Sequence, residues 1–499
     1  MDLLLGRRVI TTSLLPENMQ PQNFFGETLD RDTLVDDLNR ALMEHQKNAY
    51  ECHRLSEIHR GKQNILSRTR DSRVNNRVVI NYAQAFTRDI VGYTYGKPIQ
   101  YVPRKSRFSK EVDLLNDFMA AEEKFSLDCE LANNQSIMGT AYRAIMPDVV
   151  SDEVPFELIT LEPDRTFVAY SAYNRNRPVY GYTRCDIRQP GGGWEYVHQV
   201  YTNNTCYVYR NRTRYGVKRE DFRTEQGHIL GSIPIIEYPN NQWRLGDWEC
   251  CIGLFDAINS LASDSINDVE QTVLSYLAIF GVEVEAAQKQ GIQSGENRVL
   301  VFPGAPGVNQ DAKFITAQLD GQSSQLLRSY LEEALRTVVG VPDRKTRGGG
   351  GGDTGDAVKL RDGWADLEVV ARNKETFTST AERRMLRIAL NILSPQYVPE
   401  DMSVVDVDIK FSRNKTDNLQ TKVQSFATLV GTKKIAPVDA LSIVDITTDE
   451  AEIVKKGEEY WDRENEKAQR QFQNQTIPPD NHQGEKKTET LSQTGDDKG

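Results

Sequence analysis

The chain has 499 residues, of which 38% are hydrophobic and 27% charged, a balance typical of globular proteins. The mean hydropathy is -0.57, and no apolar run approaches the roughly 18 residues of a membrane-spanning helix, so we expect no membrane contact. A net charge of -11 argues against a protein that grips nucleic acid over a broad basic surface, because phosphate neutralisation supplies most of that affinity.

The first half of the chain predicts helices followed by strands. Apolar residues recur at three- and four-residue steps over 29–60, 80–95 and 111–146, which indicates amphipathic helices. Runs of β-branched and aromatic residues between turn-forming clusters then predict four strand regions: 155–170, 178–187, 194–209 and 228–238. Helices precede strands without βαβ alternation, so we expect a helix-rich α+β fold with antiparallel pairing.

Residues 247–280 predict one long helix, because an apolar stripe keeps helical spacing throughout the segment. The segment is acidic, and no lysine or arginine occurs from 245 to 288. Four carboxylates on this helix form a candidate acidic site: Asp256, Asp264, Asp268 and Glu270. Paired carboxylates on amphipathic helices usually form a solvated face, so the site carries no catalytic prediction.

Short strand-like pieces at 281–320 separate this helix from a second predicted helix at 321–340. A basic cluster, Arg344, Lys345 and Arg347, then precedes the glycine run Gly348–Gly352. The second helix and this cluster are net basic, so they complement the acidic helix, within one subunit or between subunits. The alternative is a monomeric helical bundle with an ordinary flexible loop.

The remaining pattern predicts a long helix at 354–393, a strand at 404–412 and charged helices at 417–470. The last segment, 471–499, is too polar to contribute to a core, and we expect it to be disordered.

Neither glycine segment fits a nucleotide site. Gly92 and Gly96 are separated by only three residues, and Pro98 stands where a P-loop needs a hydroxyl. Asp353 follows the run Gly348–Gly352 and would repel a phosphate. The six cysteines and six histidines are dispersed without metal-ligand spacing, which favours a reducing compartment and no metal site. We therefore expect no enzyme activity and no cofactor.

Several motifs, in order along the chain, resemble those of phage portal proteins, specifically portals of long-tailed phages infecting Gram-positive bacteria. They are the NR…NY…YGKPI pattern at 76–99, IPIIEYPNN at 233–241, FDAIN at 255–259, SDSIND at 263–268 and DTGDAVKL at 353–360. The resemblance covers about residues 30 to 470.

The resemblance implies a ring of twelve subunits around an axial channel, each with a wing, a helical stem, a small α/β clip and a helical crown. The implied boundaries are 1–246 with 393–416 for the wing, 247–280 and 321–341 for the two stem helices, 281–320 for the clip, 342–357 for a tunnel loop, 358–392 for a long kinked helix, 417–470 for the crown and 471–499 for the disordered tail.

The implied function is a channel at one capsid vertex, through which a terminase packages DNA that is later ejected. The implied partners are double-stranded DNA, the terminase large subunit, capsid and scaffold proteins and a head-completion adaptor, in the virion and, during assembly, in the host cytoplasm. A second hypothesis is a stand-alone nucleic-acid-handling enzyme or scaffold.

If the tunnel loop projects into the channel, Arg344, Lys345 and Arg347 would touch phosphates transiently. Such contacts are weak and salt-sensitive, which suits passage better than capture. The alternative is a solvated surface loop without a role in DNA transport.

Overall fold

The structure is a computed structural model that divides the chain into two compact units, residues 1–415 and 416–499. The described residues are 6–15, 27–69, 75–148, 150, 153–173, 177–273, 276–280, 299–302, 311–315, 321–342, 364–413, 419–432, 435–444 and 450–475. Helices and sheets are both abundant within them, which confirms the mixed fold class expected from the sequence.

The helices of the first unit follow the predicted apolar periodicity closely. They are α1 Arg31–His59, α2 Tyr82–Thr94, α3 Ser109–Ala121, α4 Lys124–Met138, α5 Ile252–Val273, α6 Gly321–Val339 and α7 Trp364–Leu393. The start of α1 is set by Asp30, whose carboxylate accepts the backbone N–H groups of Asp32 and Thr33. The second unit contains three helices among its described residues, α8 Leu419–Gly431, α9 Pro437–Val444 and α10 Glu450–Gln475.

Sixteen strands are described in the first unit. They are β1 Ile10–Thr12, β2 Leu14–Leu15, β3 Glu27–Thr28, β4 Gln100–Pro103, β5 Thr140–Pro147, β6 Phe156–Leu161, β7 Thr166–Ser171, β8 Pro178–Arg188, β9 Trp194–Tyr201, β10 Thr205–Asn211, β11 Phe222–Gly227, β12 Ile235–Pro239, β13 Tyr276–Phe280, β14 Val299–Phe302, β15 Asp311–Ile315 and β16 Val407–Lys410.

The largest sheet has six strands in the order β1-β7-β8-β9-β10-β11. Its pairs are antiparallel except β1 with β7, which run parallel. A second, antiparallel sheet has the order β12-β5-β6. Two-stranded sheets join β4 to β16 in antiparallel fashion and β2 to β3 in parallel. Antiparallel pairing thus dominates both large sheets, as the sequence indicated.

The prediction of one helical region over 111–146 is wrong at its C-terminal end. Helix α4 ends at Gly139, which has a positive φ of 75°, and β5 begins at the next residue. A Cβ atom at this position would lie 2.0 Å from the Arg244 carbonyl oxygen, so only glycine fits there. This turn brings Arg143 on β5 opposite Ile236 on β12.

The predicted helix over 247–280 is also too long. A short 3-10 turn at Glu249–Cys251 precedes α5, and the run YLAIF after α5 forms strand β13. This strand pairs in parallel with β14 and antiparallel with β15, forming a separate three-stranded sheet between α5 and α6 in the sequence. At the other end of the chain, α10 continues to Gln475, past the predicted start of the tail at residue 471.

Three large buried clusters stabilise the first unit. One lies between α1 and the strands β7 to β10, and a second joins α3, α4 and α7 to β5, β6 and β12. The third joins α2, the start of α5, the end of α6 and the start of α7 around the fully buried Trp248. Their apolar area supplies most of the folding free energy.

The second cluster encloses four charged side chains. The Lys124 ammonium lies 2.7 Å from the Asp128 carboxylate and 3.3 Å from that of Glu382. The Arg143 guanidinium lies 2.8 Å from Asp128 and 3.6 Å from Glu382. Two positive charges thus meet two negative ones, which offsets the desolvation of each.

No helix within the described residues is long and apolar enough to cross a membrane. The same residues contain no group of three or more histidine, cysteine or acidic side chains arranged to hold a metal ion.

Candidate functional site

Helices α5 and α6 form an antiparallel pair at the edge of the third cluster. Phe255 and Ile258 on α5 are buried together with Leu335 and Val339 near the end of α6. The C-terminal residues of α6 also contact the turn that precedes α5. The C-terminal half of α6 therefore packs against the N-terminal half of α5.

Both helices of this pair also carry large apolar side chains that the subunit's own core leaves exposed. Ile266 follows Phe255 by about three helical turns, on the same side of α5. The exposed fractions are 45% for Ile266 and 66% for Val269 on α5, and 70%, 48% and 67% for Leu326, Leu327 and Tyr330 on α6. We call these five side chains the α5–α6 apolar surface. Several large exposed apolar side chains on two packed helices are characteristic of an interaction surface.

A polar ladder holds a neighbouring segment against α5. Three buried side chains, spaced one turn apart on α5, accept backbone N–H groups from alternate residues of an extended segment. The bonds join Ile80 N to Asn259 Oδ1 at 2.8 Å, Val78 N to Ser263 Oγ at 3.0 Å and Asn76 N to Asn267 Oδ1 at 2.7 Å. Two extended residues span about 6.6 Å and four helical residues about 6 Å, so the two spacings nearly match. The ladder satisfies backbone donors that would otherwise be buried unpaired.

The four predicted acids lie along α5, and the hydrogen-bond partners of two of them are on other parts of the subunit. Asp256 accepts a hydrogen bond from the Asn64 side-chain amide at 2.8 Å. Glu270 accepts one from Asn76 at 2.5 Å. Asp264 and Asp268 are half-buried. Two of the acids therefore bind other parts of the same subunit, and the role of the set as an acidic site of the stem helix stays a prediction.

Two further acids of the predicted acidic helix belong to the subunit core. The Asp247 carboxylate lies 2.5 Å from the Lys374 ammonium on α7. Glu249 forms a fully buried ion pair with Arg7. Both pairs fix the start of α5 against the rest of the unit, because a buried charge must keep its partner.

Tyr82 lies where α2 meets the helix pair. Its ring stacks on Phe255 with centroids 6.4 Å apart. Two causes raise the pKa of the Tyr82 hydroxyl to about 12. The larger is burial, and the second is the hydrogen bond to the Glu332 carboxylate on α6. The hydroxyl therefore stays protonated near neutral pH.

The basic cluster Arg344, Lys345 and Arg347 lies outside the described residues, and so do most of the predicted tunnel loop and residues 476–499. The assignments made for these segments stay predictions.

Sequence reasoning missed the polar ladder because it considered only the apolar and acidic side chains of α5. A usable signal was present: Asn259, Ser263 and Asn267 are small polar residues at four-residue spacing on one side of the helix. The partner segment could not be recognised, since its contribution is backbone N–H groups, which every sequence has.

Comparison with known protein families identifies the family of this chain. Residues 38–471 match the family described as phage portal protein, SPP1 Gp6-like. The chain belongs to this portal protein family. The motif order along residues 30 to 470 therefore indicated the right family, and that family is structural rather than catalytic.

Among curated proteins, the chain is 21% identical over 304 residues to the portal protein of Bacillus phage SPP1. The match covers 58% of this chain and 57% of that protein, so the chain spans little more than half the length of this relative. Among solved structures, it is similar to a chain in the virion of a native gene transfer agent particle, with a TM-score of 0.43, 12% identity, and coverage of 80% of this chain and 94% of that one. A chain in the neck of an empty gene transfer agent particle, computed with C6 symmetry, also has a TM-score of 0.43, with 13% identity and coverage of 74% and 89%.

Proposed function

We propose that the protein is the portal of a phage head, a ring at one capsid vertex through which DNA is packaged and later ejected. Family membership supports this function, and the α5–α6 apolar surface is the structural observation that carries it. The proposed partners are further copies of this chain, double-stranded DNA, the terminase large subunit, capsid and scaffold proteins and a head-completion adaptor. The proposed location is the virion, reached from the host cytoplasm during assembly.

The argument for a ring rests on burial. An antiparallel helix pair that leaves five large apolar side chains 45–70% exposed has an incomplete core. A neighbouring copy of the pair would cover it. Since the two sides of a helix pair differ, the contact would be heterologous, and repeated heterologous contacts close into a ring when the rotation permits. We propose twelve copies.

In this proposal each element takes a place in the portal architecture. Residues 1–246 with 393–416 form the wing, α5 and α6 the stem, the sheet of β13, β14 and β15 the core of the clip, and the helices of the second unit the crown. The terminase docks on the clip.

The chemistry proposed for the channel is weak contact with DNA. Arg344, Lys345 and Arg347 touch phosphates in passing, and the acids of α5 disfavour tight binding. The protein itself hydrolyses no ATP, since both glycine segments lack the P-loop pattern, and the terminase supplies the energy.

The test of the ring uses charge on the α5–α6 apolar surface. In the double variant Val269→Asp/Leu326→Asp, each neighbour contact would bury unpaired carboxylates, so rings should disappear and subunits of 56.6 kDa should remain. Sedimentation velocity and native mass spectrometry measure this directly.

The matched control is Val405→Asp, which places a carboxylate on a residue that is 63% exposed but lies far along the chain from the helix pair. Its rings should form normally. Wild-type protein that stays monomeric, or a double variant that still assembles, would contradict the proposal. A monomer with nuclease activity would instead favour the stand-alone enzyme.

A further inference from the structure

A cleft away from the helix pair has the chemistry of a peptide-binding site. It lies between the two large sheets and α7 and has a volume of about 410 Å³. This lies within the range of about 300–1,000 Å³ that is usual for ligand pockets. Four isoleucines contribute apolar lining: Ile233, Ile235, Ile236 and Ile388.

Three arginines also line the cleft. Arg384 and Arg387 lie about one turn apart on α7, and Arg177 immediately precedes β8. Arg387 and Arg177 are exposed and form no ion pair with any residue in the described part of the chain. Their guanidinium groups are therefore available to an external anion.

The carboxylate lining the cleft does not cancel this charge. Glu237 is buried, and Arg244 donates to its two oxygens at 2.6 and 2.8 Å. Tyr170 donates to it as well, at 2.8 Å. Burial works against the ionised form, yet Arg244 keeps the pKa of Glu237 below its ordinary value. The Glu237–Arg244 pair is thus neutral, and the exposed guanidinium groups of Arg177 and Arg387 leave the cleft positive.

We propose that this cleft binds an acidic peptide segment of a partner protein, with an aliphatic side chain of that segment seated on the isoleucines. Arginine pairs with carboxylates through two parallel hydrogen bonds, which gives both strength and orientation. In a chain with a net charge of -11, a local positive cleft also steers an acidic partner to one place.

Double-stranded DNA fits this cleft poorly. A duplex presents its phosphates on a convex surface and offers no aliphatic group to an apolar floor. The proposed site is separate from the ring contact, because it is built from β7, β8, β12 and α7 and uses none of the α5–α6 apolar surface.

The test measures fluorescence anisotropy with short labelled peptides on the full-length protein. The probe peptide alternates glutamate with leucine; one comparison peptide replaces glutamate by glutamine, and another replaces leucine by serine. We expect the probe to bind at least tenfold more tightly than either comparison peptide, and its affinity to fall as salt is raised.

Two variants locate the binding. Arg384→Glu/Arg387→Glu should weaken probe binding at least tenfold through like-charge repulsion, and Ser232→Trp should block the cleft without changing its charge. The matched control is Arg383→Glu, which carries the same reversal on α7 at a residue that does not line the cleft, and it should change binding less than twofold. Circular dichroism and sedimentation velocity establish that each variant keeps the wild-type fold and oligomeric state.

Equal binding of the glutamate–serine peptide would overturn the proposal, since it would show only general attraction between charges. Equal loss in Arg383→Glu, or preferred binding of a DNA duplex that depends on Arg384 and Arg387, would overturn it too. Because oligomeric state is measured separately, a protein that forms no rings but binds the probe would contradict the portal proposal and leave the cleft proposal standing.

Discussion

We call the second buried cluster, which encloses Glu382, the body of the first unit. The body and the α5–α6 pair differ in which side chains they bury. In the body, even charged residues are enclosed: Lys124, Arg143 and Glu382 are 3%, 0% and 1% exposed. On the helix pair, Val269 and Leu326 are apolar and yet 66% and 70% exposed. The difference teaches that polarity alone does not determine burial. The body completes its core within one subunit, whereas the exposed apolar side chains of the helix pair are covered, in our proposal, by a neighbour.

The largest expected effect comes from opening the charged cluster of the body. Glu382→Ala leaves Lys124 and Arg143 with one carboxylate and removes the acceptor of the Tyr101 and Tyr238 hydroxyls, which donate to Glu382 at 2.6 and 2.9 Å. Breaking a buried pair in this way costs about 3–5 kcal/mol, and urea denaturation should show it. Removal of the exposed Glu400 carboxylate by Glu400→Gln is the control and should change stability by less than about 0.5 kcal/mol. A Glu382 variant as stable as this control would mean that the body does not depend on its buried charges.

Lowering the pH should have the next largest effect, and it acts on the first buried cluster, between α1 and strands β7 to β10. His45 on α1 is buried against Phe167, and its Nε2 lies 3.2 Å from the Asp164 carbonyl oxygen. Burial lowers the pKa of His45 from 6.5 to about 4. The unfolded chain therefore binds the proton first, so this contribution is complete above pH 6.5 and is lost as the pH falls towards 4. The loss reaches about 3 kcal/mol at about 1.4 kcal/mol for each pKa unit.

The measurement is the free energy of unfolding at several pH values between 4 and 7. In His45→Gln the slope over this window should be smaller than in the wild type. His53→Gln, which changes an exposed histidine on the same helix, should keep the wild-type slope. Parallel curves for all three proteins would exclude His45 as the source.

The polar ladder should have a moderate effect, since Asn259 is fully buried but uncharged. Asn259→Ala removes the hydrogen bonds that the Asn259 side chain forms with the Ile80 N–H and the Gln63 side chain. The free energy of unfolding should fall by about 1–3 kcal/mol. Hydrogen exchange of the Ile80 amide should accelerate. Ser265→Ala removes an exposed hydroxyl that donates to the Leu261 carbonyl within α5, so exchange at Ile80 should not change. Unchanged exchange in Asn259→Ala would show that the segment is held by other contacts.

The smallest effect on unfolding is expected at the α5–α6 apolar surface. In a single subunit, Val269→Asp and Leu326→Asp alter exposed side chains, so each should change the free energy of unfolding by less than about 0.5 kcal/mol. Denaturation at a concentration where the wild type is also monomeric measures this. A large loss of unfolding free energy would show that the surface is already covered within the subunit. The helix pair and the body would then not differ in burial.

The helices were the most predictable part of the fold. Apolar periodicity located α1, α2, α6 and α7 to within a few residues wherever they are described, because one buried side per helix leaves a regular trace in the sequence. The ends of α4 and α5 were not predictable in this way. The turn at Gly139 depends on the close approach of Arg244, which is distant in sequence. Strand β13 depends on pairing with β14 and β15, which also lie further along the chain.

The sequence by itself determined the family, the mixed fold class and the positions of the acids on α5, because each is written in local pattern and motif order. Only the tertiary structure decided which apolar residues of α5 are buried and which remain exposed, since this depends on where α6 and α2 end. It alone revealed the polar ladder and the arginine-lined cleft. Both unite residues more than 150 positions apart, and such long-range contacts have no local sequence signature.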